Sequence, residues 1–267
     1  MREHKDYVPA KTPLKDRIRF TLVNYISNCI PPRGKWTYIT LGGPQLIDIR
    51  RLLDALDPPQ YPAQIISCYH NPEDDEGIAT ENIRTAEGNA NNIHMHYNLS
   101  YTPNIVPGTV KEIRSSDVKS GRIVMWLDYE GTVLKFRDEI SACVKNRILH
   151  VGDLLFVTSC ADEKFLSNPR HHFRIKANQR VASFLRKDPD EVTTADILTY
   201  HDFNLIRDEV KSSSFTHKKR LDCVPLGPLV VYEDTVRMLW LPLRIVGYDC
   251  LMRPPSIKLR YLVRWSS

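Results

Sequence analysis

The stretch RIVMWLDYEG, Arg122 to Gly131, runs through apolar residues and then stops on two carboxylates, a phenol and a glycine. An ionised Asp128 can orient an amine or hydroxyl, or accept its proton. Tyr129 can stack on a planar group or donate a hydrogen bond, and Glu130 offers a second acid. The plainer reading is that a buried strand leaves the core there, through residues that commonly form turns.

Other reactive side chains are less persuasive. His94 and His96 flank Met95, and on a strand that spacing sends both imidazoles to one side. They could ligate a metal beside an acid. No third ligand is identifiable, so two hydrogen-bonded histidines on a sheet face is the preferred reading and no metal site is expected. Ser159 lacks the glycines of a nucleophile elbow. His171 and His172 read as an exposed loop. The six cysteines are scattered without a CxxC pair, which fits free thiols in a reducing cytoplasm. Cys68 and Cys160 end apolar strands and read as small core residues.

The elements that must carry these residues alternate. Apolar positions from Leu14 to Cys29 recur at helical steps, and the helix stops at Pro31, Pro32 and Gly34. A strand over Trp36–Leu41 meets Gly42, Gly43 and Pro44, the proline suiting the first turn of a helix that runs to Pro58. A second strand spans Ala63–Tyr69. The next helix is expected to take Asn71 as its cap and Pro72 at its first position. Asn92–Leu99 reads as a third strand, Arg122–Leu127 as a fourth and Leu154–Cys160 as a fifth, with a helix over about Phe136–Leu149. Helices at Ile175–Arg186 and Ala195–Val210 follow without a strand between them. Val236–Tyr248 and Ser256–Trp265 read as an antiparallel terminal pair.

This order predicts an α/β fold: a doubly wound, mostly parallel seven-stranded sheet with a C-terminal antiparallel β-hairpin and a helical insertion. Residues 1–161 form the core, 162–220 the insertion or cap, and 221–267 complete the sheet. Ligands of such sheets bind beyond the carboxyl ends of the strands, where Gly42, Tyr69, Asn98 and Asp128 all fall.

Five βα units with a terminal hairpin, glycines after the first strand in TLGGPQL, GIATENIRTA after the second and RILHVGDLLFVTS leading into the fifth together resemble the class I S-adenosylmethionine-dependent methyltransferases. The resemblance spans about Leu14 to Trp265 and rests on order and spacing. It implies S-adenosylmethionine as cofactor and transfer of its methyl group to a hydroxyl, amine or base. It places Thr40, Gly42 and Gly43 on the cofactor loop, and Tyr69, His70 and Glu73 at the ribose position. Asn98 falls at the adenine position, and Asp128, Tyr129 and Glu130 where cofactor and acceptor meet. The chain departs from the family pattern at Thr40, which stands for an acid, and at Pro44 and Leu46, which stand for glycines. Those departures favour an alternative, a non-catalytic binding or scaffold subunit of the same fold.

The net charge of +5 is modest, so partners must be sought in local distribution. Lys164–Lys187 carries seven Lys or Arg and no acid; it reads as a solvated helix face that could also attract nucleic acid or a protein partner. The insertion's Phe165, Phe173 and Phe184 are core-like at helical spacing. No window approaches the roughly 18 apolar residues of a membrane span, and the polar N-terminus lacks a secretion signal. A cytoplasmic protein without a membrane partner is expected.

Overall fold

The computed structural model describes residues 13–31, 34–70, 74–119, 121–129, 133–160, 179, 181–184, 188–217, 219–227, 230–233 and 237–247. Five strands run parallel: β1 (Trp36–Leu41), β2 (Gln64–Tyr69), β3 (Asn104–Pro107), β4 (Arg122–Asp128) and β5 (Leu154–Cys160). β6 (Leu221–Pro225), β7 (Val230–Glu233) and β8 (Arg237–Gly247) finish the sheet. The order is β3-β2-β1-β4-β5-β8-β6, with β7 also on β8. β8 lies antiparallel to β5; β6 pairs one half of its outer edge and β7 the other. β6 and β7 therefore share one position, and the sheet is an α/β sheet seven positions wide.

Helices α1 (Pro13–Cys29), α2 (Ile47–Ala55) and α3 (Glu76–His96) are set apart from α4 (Val133–Lys145) and α5 (Thr194–Ser213). Ile18, Leu22, Ile49 and Ile93 share a core with Trp36, Tyr38, Trp126 and Phe156. Across the sheet, Ile140, Val144, Phe203, Ile206 and Val210 pack with Ile39, Met125, Leu127 and Val157. Strand alternation divides the sheet side chains in this way, since successive residues face opposite sides. A sheet covered on both faces explains why β1, β4 and β5 read as nearly continuous apolar runs. α5, within the segment 162–220, belongs to this layer through its contacts with α4 and β6.

Several expectations are corrected. Asn92–Leu99 is not the third strand: its first half is the end of the 21-residue helix α3, which buries Ala86, Ala90 and Ile93 at helical spacing. The strand is the four-residue β3, an edge strand where Pro107 lacks no needed donor. α3 is capped by Asp75, whose side chain accepts from the Ile78 N–H, so Asn71 is not its cap. α2 starts after Leu46, leaving Pro44 in the preceding turn, and α4 spans Val133–Lys145 instead of reaching Leu149. β8 finds its antiparallel partners upstream, in β6 and β7; Ser256–Trp265 lies outside the described residues, as do Asn71 and Pro72, Ile175 and most of the basic stretch Lys164–Lys187.

One buried acid ties the N-terminal side of the sheet together. Asp153 is 3% exposed; its Oδ1 accepts from the Ile123 N–H at 2.9 Å and its Oδ2 from the His150 N–H at 2.7 Å. Burial pushes its carboxyl up to about 6, while those two donors, His150 and Arg122 pull the other way. A folded value above the unfolded one means that the neutral form is favoured in the fold. The associated stability is complete below about pH 4 and is lost as pH rises through about 6. Wild-type unfolding free energy should fall between those values by up to about 3 kcal/mol from this group. Denaturant titrations of Asp153→Asn should show that pH-dependent fall flattened; a slope equal to wild type would assign the effect elsewhere.

Candidate functional site

β1 lies between β2 on one side and β4 on the other, paired to β4 as Thr40 with Trp126. After β1 the chain builds outward to β2 and β3, then crosses back to β4. A crevice beyond the strand ends at such a switch point is the usual ligand position of an open α/β sheet. Gly42 and Gly43 leave β1 there and Asp128 ends β4 there.

Polar groups gather on the α1–α2 face below this point. Thr40 is fully buried, as is Tyr38 two residues earlier. Neither hydroxyl has a full-geometry hydrogen-bond partner among the described residues, although the Thr40 side chain acts on the Tyr38 phenol as a hydrogen-bonding neighbour. The Arg19 Nε of α1 donates to the Asp48 Oδ1 of α2 at 2.5 Å. Burial holds the Tyr38 phenol well above its ordinary value, Asp48 adding to that shift, Arg19 opposing it and Asp128 adding a smaller push. The same phenol thus feels groups from α1, α2 and β4. Arg19 and Asp48 escaped the sequence reading. Their signal was a charge on the apolar side of a helix, since Arg19 stands three and seven residues before the buried Leu22 and Ile26.

At the end of β2, Tyr69 is bound to its surroundings. Its OH donates to the Asp74 Oδ2 at 2.7 Å, and the Asn82 Nδ2 of α3 donates to both, at 2.8 Å to the phenol and 3.0 Å to the carboxylate. Burial first, then the bond to Asp74, raises the phenol above its ordinary value. Asp74 directly follows Glu73, one of the residues that the resemblance sets at the ribose position. It sits five residues past Tyr69, beyond the short loop in which an acid was sought. His70 is exposed, and Glu73 lies outside the described residues, as does Glu130.

Three placements differ from the expected ones. Asn98 is not at a strand end: it follows α3 in a left-handed conformation, φ 49°. α3 leads from the end of β2 back toward the start of β3, so Asn98 is on the side opposite the switch point. His94 and His96 lie on that helix, two residues apart and therefore facing different directions. The His94 Nδ1 meets the Tyr101 carbonyl at 3.0 Å, and the His96 ring meets Tyr97 edge-on. Tyr129 is also turned away from Asp128. It is 4% exposed, stacked on Phe136 at 3.8 Å, and its OH donates to the Glu139 Oε2 at 3.2 Å. Its ring and phenol are engaged inside the α4-side core. Among the described residues no group of His, Cys, Asp and Glu could hold a metal ion.

The loop itself is mixed. A Cβ on Gly43 would meet nothing within 4 Å, whereas one on Gly42 would stand 2.0 Å from the Ser67 Oγ. Gly42 therefore makes room for a neighbour in β2. Leu46 takes φ 49° and ψ 38° with its side chain 1% exposed, the left-handed form that glycine adopts without penalty.

Strand order and crossover agree, and the glycine turn agrees in part. The chain has the class I S-adenosylmethionine-dependent methyltransferase-like fold. No protein-family model and no curated protein matches the sequence. Solved structures similar to this methyltransferase-like fold include P. horikoshii TYW2 in complex with MeSAdo, at 10% identity and TM-score 0.47, covering 88% of this chain and 64% of that one. Geranyl diphosphate methyltransferase in complex with SAM is similar at 9% identity and TM-score 0.47, over 86% and 85% of the two chains. The putative methyltransferase yhhF from Escherichia coli is similar at 10% and 0.44, over 88% of each. The chain thus spans less than two thirds of TYW2, and these likenesses describe architecture alone. Among the described residues no helix is long and apolar enough to cross a membrane.

The reading of Gly42 is testable by a mutant cycle. Gly42→Ala should destabilise by about 1–2 kcal/mol, the range of ordinary overpacking. Ser67→Ala, which removes the obstructing hydroxyl, should recover most of that loss in the double variant. Additive losses in denaturant unfolding would mean that Gly42 is needed for another reason.

Proposed function

We propose that the chain binds S-adenosylmethionine across the β1 and β4 strand ends and works as a methyltransferase on a hydroxyl, amine or base. The observation that carries this reading is the juxtaposition, at one switch point, of the open Gly43 turn, the buried hydroxyls of Thr40 and Tyr38, and Asp128. Buried polar groups cost free energy unless their hydrogen bonds are met in full, so the residues present fit a polar ligand. Gly43 admits close approach of that ligand to the backbone. Thr40 and Asp128 supply hydrogen bonds from two adjacent strands, and Asp74, held by Tyr69 and Asn82, offers a carboxylate toward the ribose. The cofactor's sulfonium supplies an activated methyl group. The chain's own task is then to orient an acceptor, with Asp128 accepting a hydrogen bond from its hydroxyl or amine.

The buried left-handed Leu46 and the Ser67-filled space beside Gly42 favour a second reading. In it the fold is kept as a binding or scaffold subunit and the cofactor loop has closed on itself. Nucleic acid remains a proposed partner of either form through Lys164–Lys187.

Calorimetry with S-adenosylmethionine and its demethylated product separates the two. Binding should be saturable, and ligand at about 100 times its Kd should add about 2.7 kcal/mol to the unfolding free energy. Asp128→Asn should weaken affinity by about tenfold, or about 1.4 kcal/mol. Absence of heat and of stabilisation at millimolar ligand would leave the scaffold reading.

A further inference from the structure

The acid that holds Tyr129 lies outside the ligand site and yet acts on its geometry. Glu139 is in the second turn of α4 and is 7% exposed. Its Oε2 accepts from the Tyr129 OH at 3.2 Å. Tyr129 is fixed at two further points. Its N–H donates to the Thr158 carbonyl of β5 at 2.9 Å, prolonging the β4 pairing by one residue, and its ring stacks on Phe136 with 4° between the planes. Asp128 is the residue immediately before it. Adjacent side chains of a strand face opposite sides, so a Tyr129 held on the α4 side commits Asp128 to the α1–α2 side. There its charge reaches the Tyr38 phenol.

We propose that Glu139 is a positioning residue which, by holding Tyr129 on the α4 face, fixes Asp128 at the switch point. The functional consequence rests on the ligand site proposed above; the positioning itself does not. A two-point clamp alone, backbone bond and stack, would leave the Tyr129 ring free to slide along Phe136, and with it the turn of the strand end. The phenol–carboxyl bond removes that freedom.

Burial raises the Glu139 carboxyl above its ordinary range, with the Tyr129 hydrogen bond and the charges of Lys111 and His70 opposing. Cys68 of β2 and Cys143 of α4 feel the same carboxyl, and Glu112 acts on Cys68. The neutral acid is thus favoured in the fold. Its contribution is complete at low pH and falls as pH rises through the raised value. A glutamine, neutral at every pH, should reproduce it.

The test follows the Asp128 carboxyl resonance by carbon-13 NMR at one fixed pH in wild type, Glu139→Ala, Glu139→Gln and Tyr129→Phe, with calorimetry of S-adenosylhomocysteine alongside. That resonance should shift in Glu139→Ala and in Tyr129→Phe, and the double variant should move it no further than the larger single change. Glu139→Gln should keep the wild-type resonance. Affinity should fall about three- to tenfold in the first two variants and be kept in Glu139→Gln, the size of one lost hydrogen bond. An unmoved Asp128 signal in folded Glu139→Ala or Tyr129→Phe overturns the proposal. Should Glu139→Ala fail to fold, Tyr129→Phe, which keeps the ring and its stack, decides. A wild type that binds no ligand removes the ligand site, while the Asp128 signal still answers whether Glu139 positions it.

Discussion

Parallel pairing of β1 with β4, Thr40 against Trp126, constrains everything around the strand ends. A parallel neighbour cannot be reached by a tight turn, so the chain must leave β1, cross a face of the sheet and return. The returns for β2 and β3 go to one side of β1 and the return for β4 to the other. Helices leaving β1 and β4 then diverge: α2 shares the core of α1 and α3, while α4 shares that of α5. The gap between the two departures lies at the switch point. That is where Gly43 stays open and where the side chains of Asp128 and Tyr129 part company. A one-residue slip of β4 against β1 would exchange the two, sending a carboxylate into the α4-side core and a phenol toward α2. The apolar residues Met125 and Leu127 on one face and Trp126 on the other make that slip prohibitive.

Leu46 shows two local demands in conflict. Left-handed backbone costs a residue with a Cβ about 1–2 kcal/mol. Burial of a leucine side chain returns about 1.5–3 kcal/mol. The second is the larger, so the turn into α2 holds with leucine in a conformation suited to glycine. Its N–H still donates to the Gly43 carbonyl at 3.0 Å. The same side chain that stabilises the start of α2 also stands near Gly42, its Cδ2 being 3.3 Å from where a Cβ there would lie. Packing has thus taken over part of the space that three glycines would leave to a ligand, and Gly43 is the part that remains.

Legibility in the sequence followed the physics of each element. β1, β2, β4 and β5 were readable because they are long enough, apolar on both faces and bounded by glycine, proline or charge. β3 was not, because a four-residue edge strand ending in proline carries no periodicity. The histidines and Asn92–Leu99 imitated an alternating strand, while the Ala86–Ala90–Ile93 stripe that makes the segment helical uses small residues. The antiparallel edge was legible in β8, whereas β6 and β7, short and flanked by prolines, were not read as strands. Among the site residues, Asp128 and the glycines were visible as strand-end chemistry. Asp74, Arg19, Asp48 and Glu139 were not, since each is defined by a contact with residues at least five positions away. The outward identity of Tyr129 was misleading for the same reason: only the fold reveals that Phe136 and Glu139 already occupy it.

The placement of charge completes the picture. Arg19 and Asp48 have side chains only 6% and 12% exposed. Taking such a pair from water costs several kcal/mol per ion before their attraction is counted, so an apolar pair of equal volume would serve stability at least as well. α1 and α2 have abundant apolar residues elsewhere on the same face, Ile18, Leu22, Ile49 and Leu52 among them. The charged pair instead acts on Tyr38, a phenol that Asp128 also reaches. Stability alone gives no reason for polarity to concentrate at this end of the sheet. The ligand site proposed above would give one, because a polar occupant shares the desolvation of the groups around it.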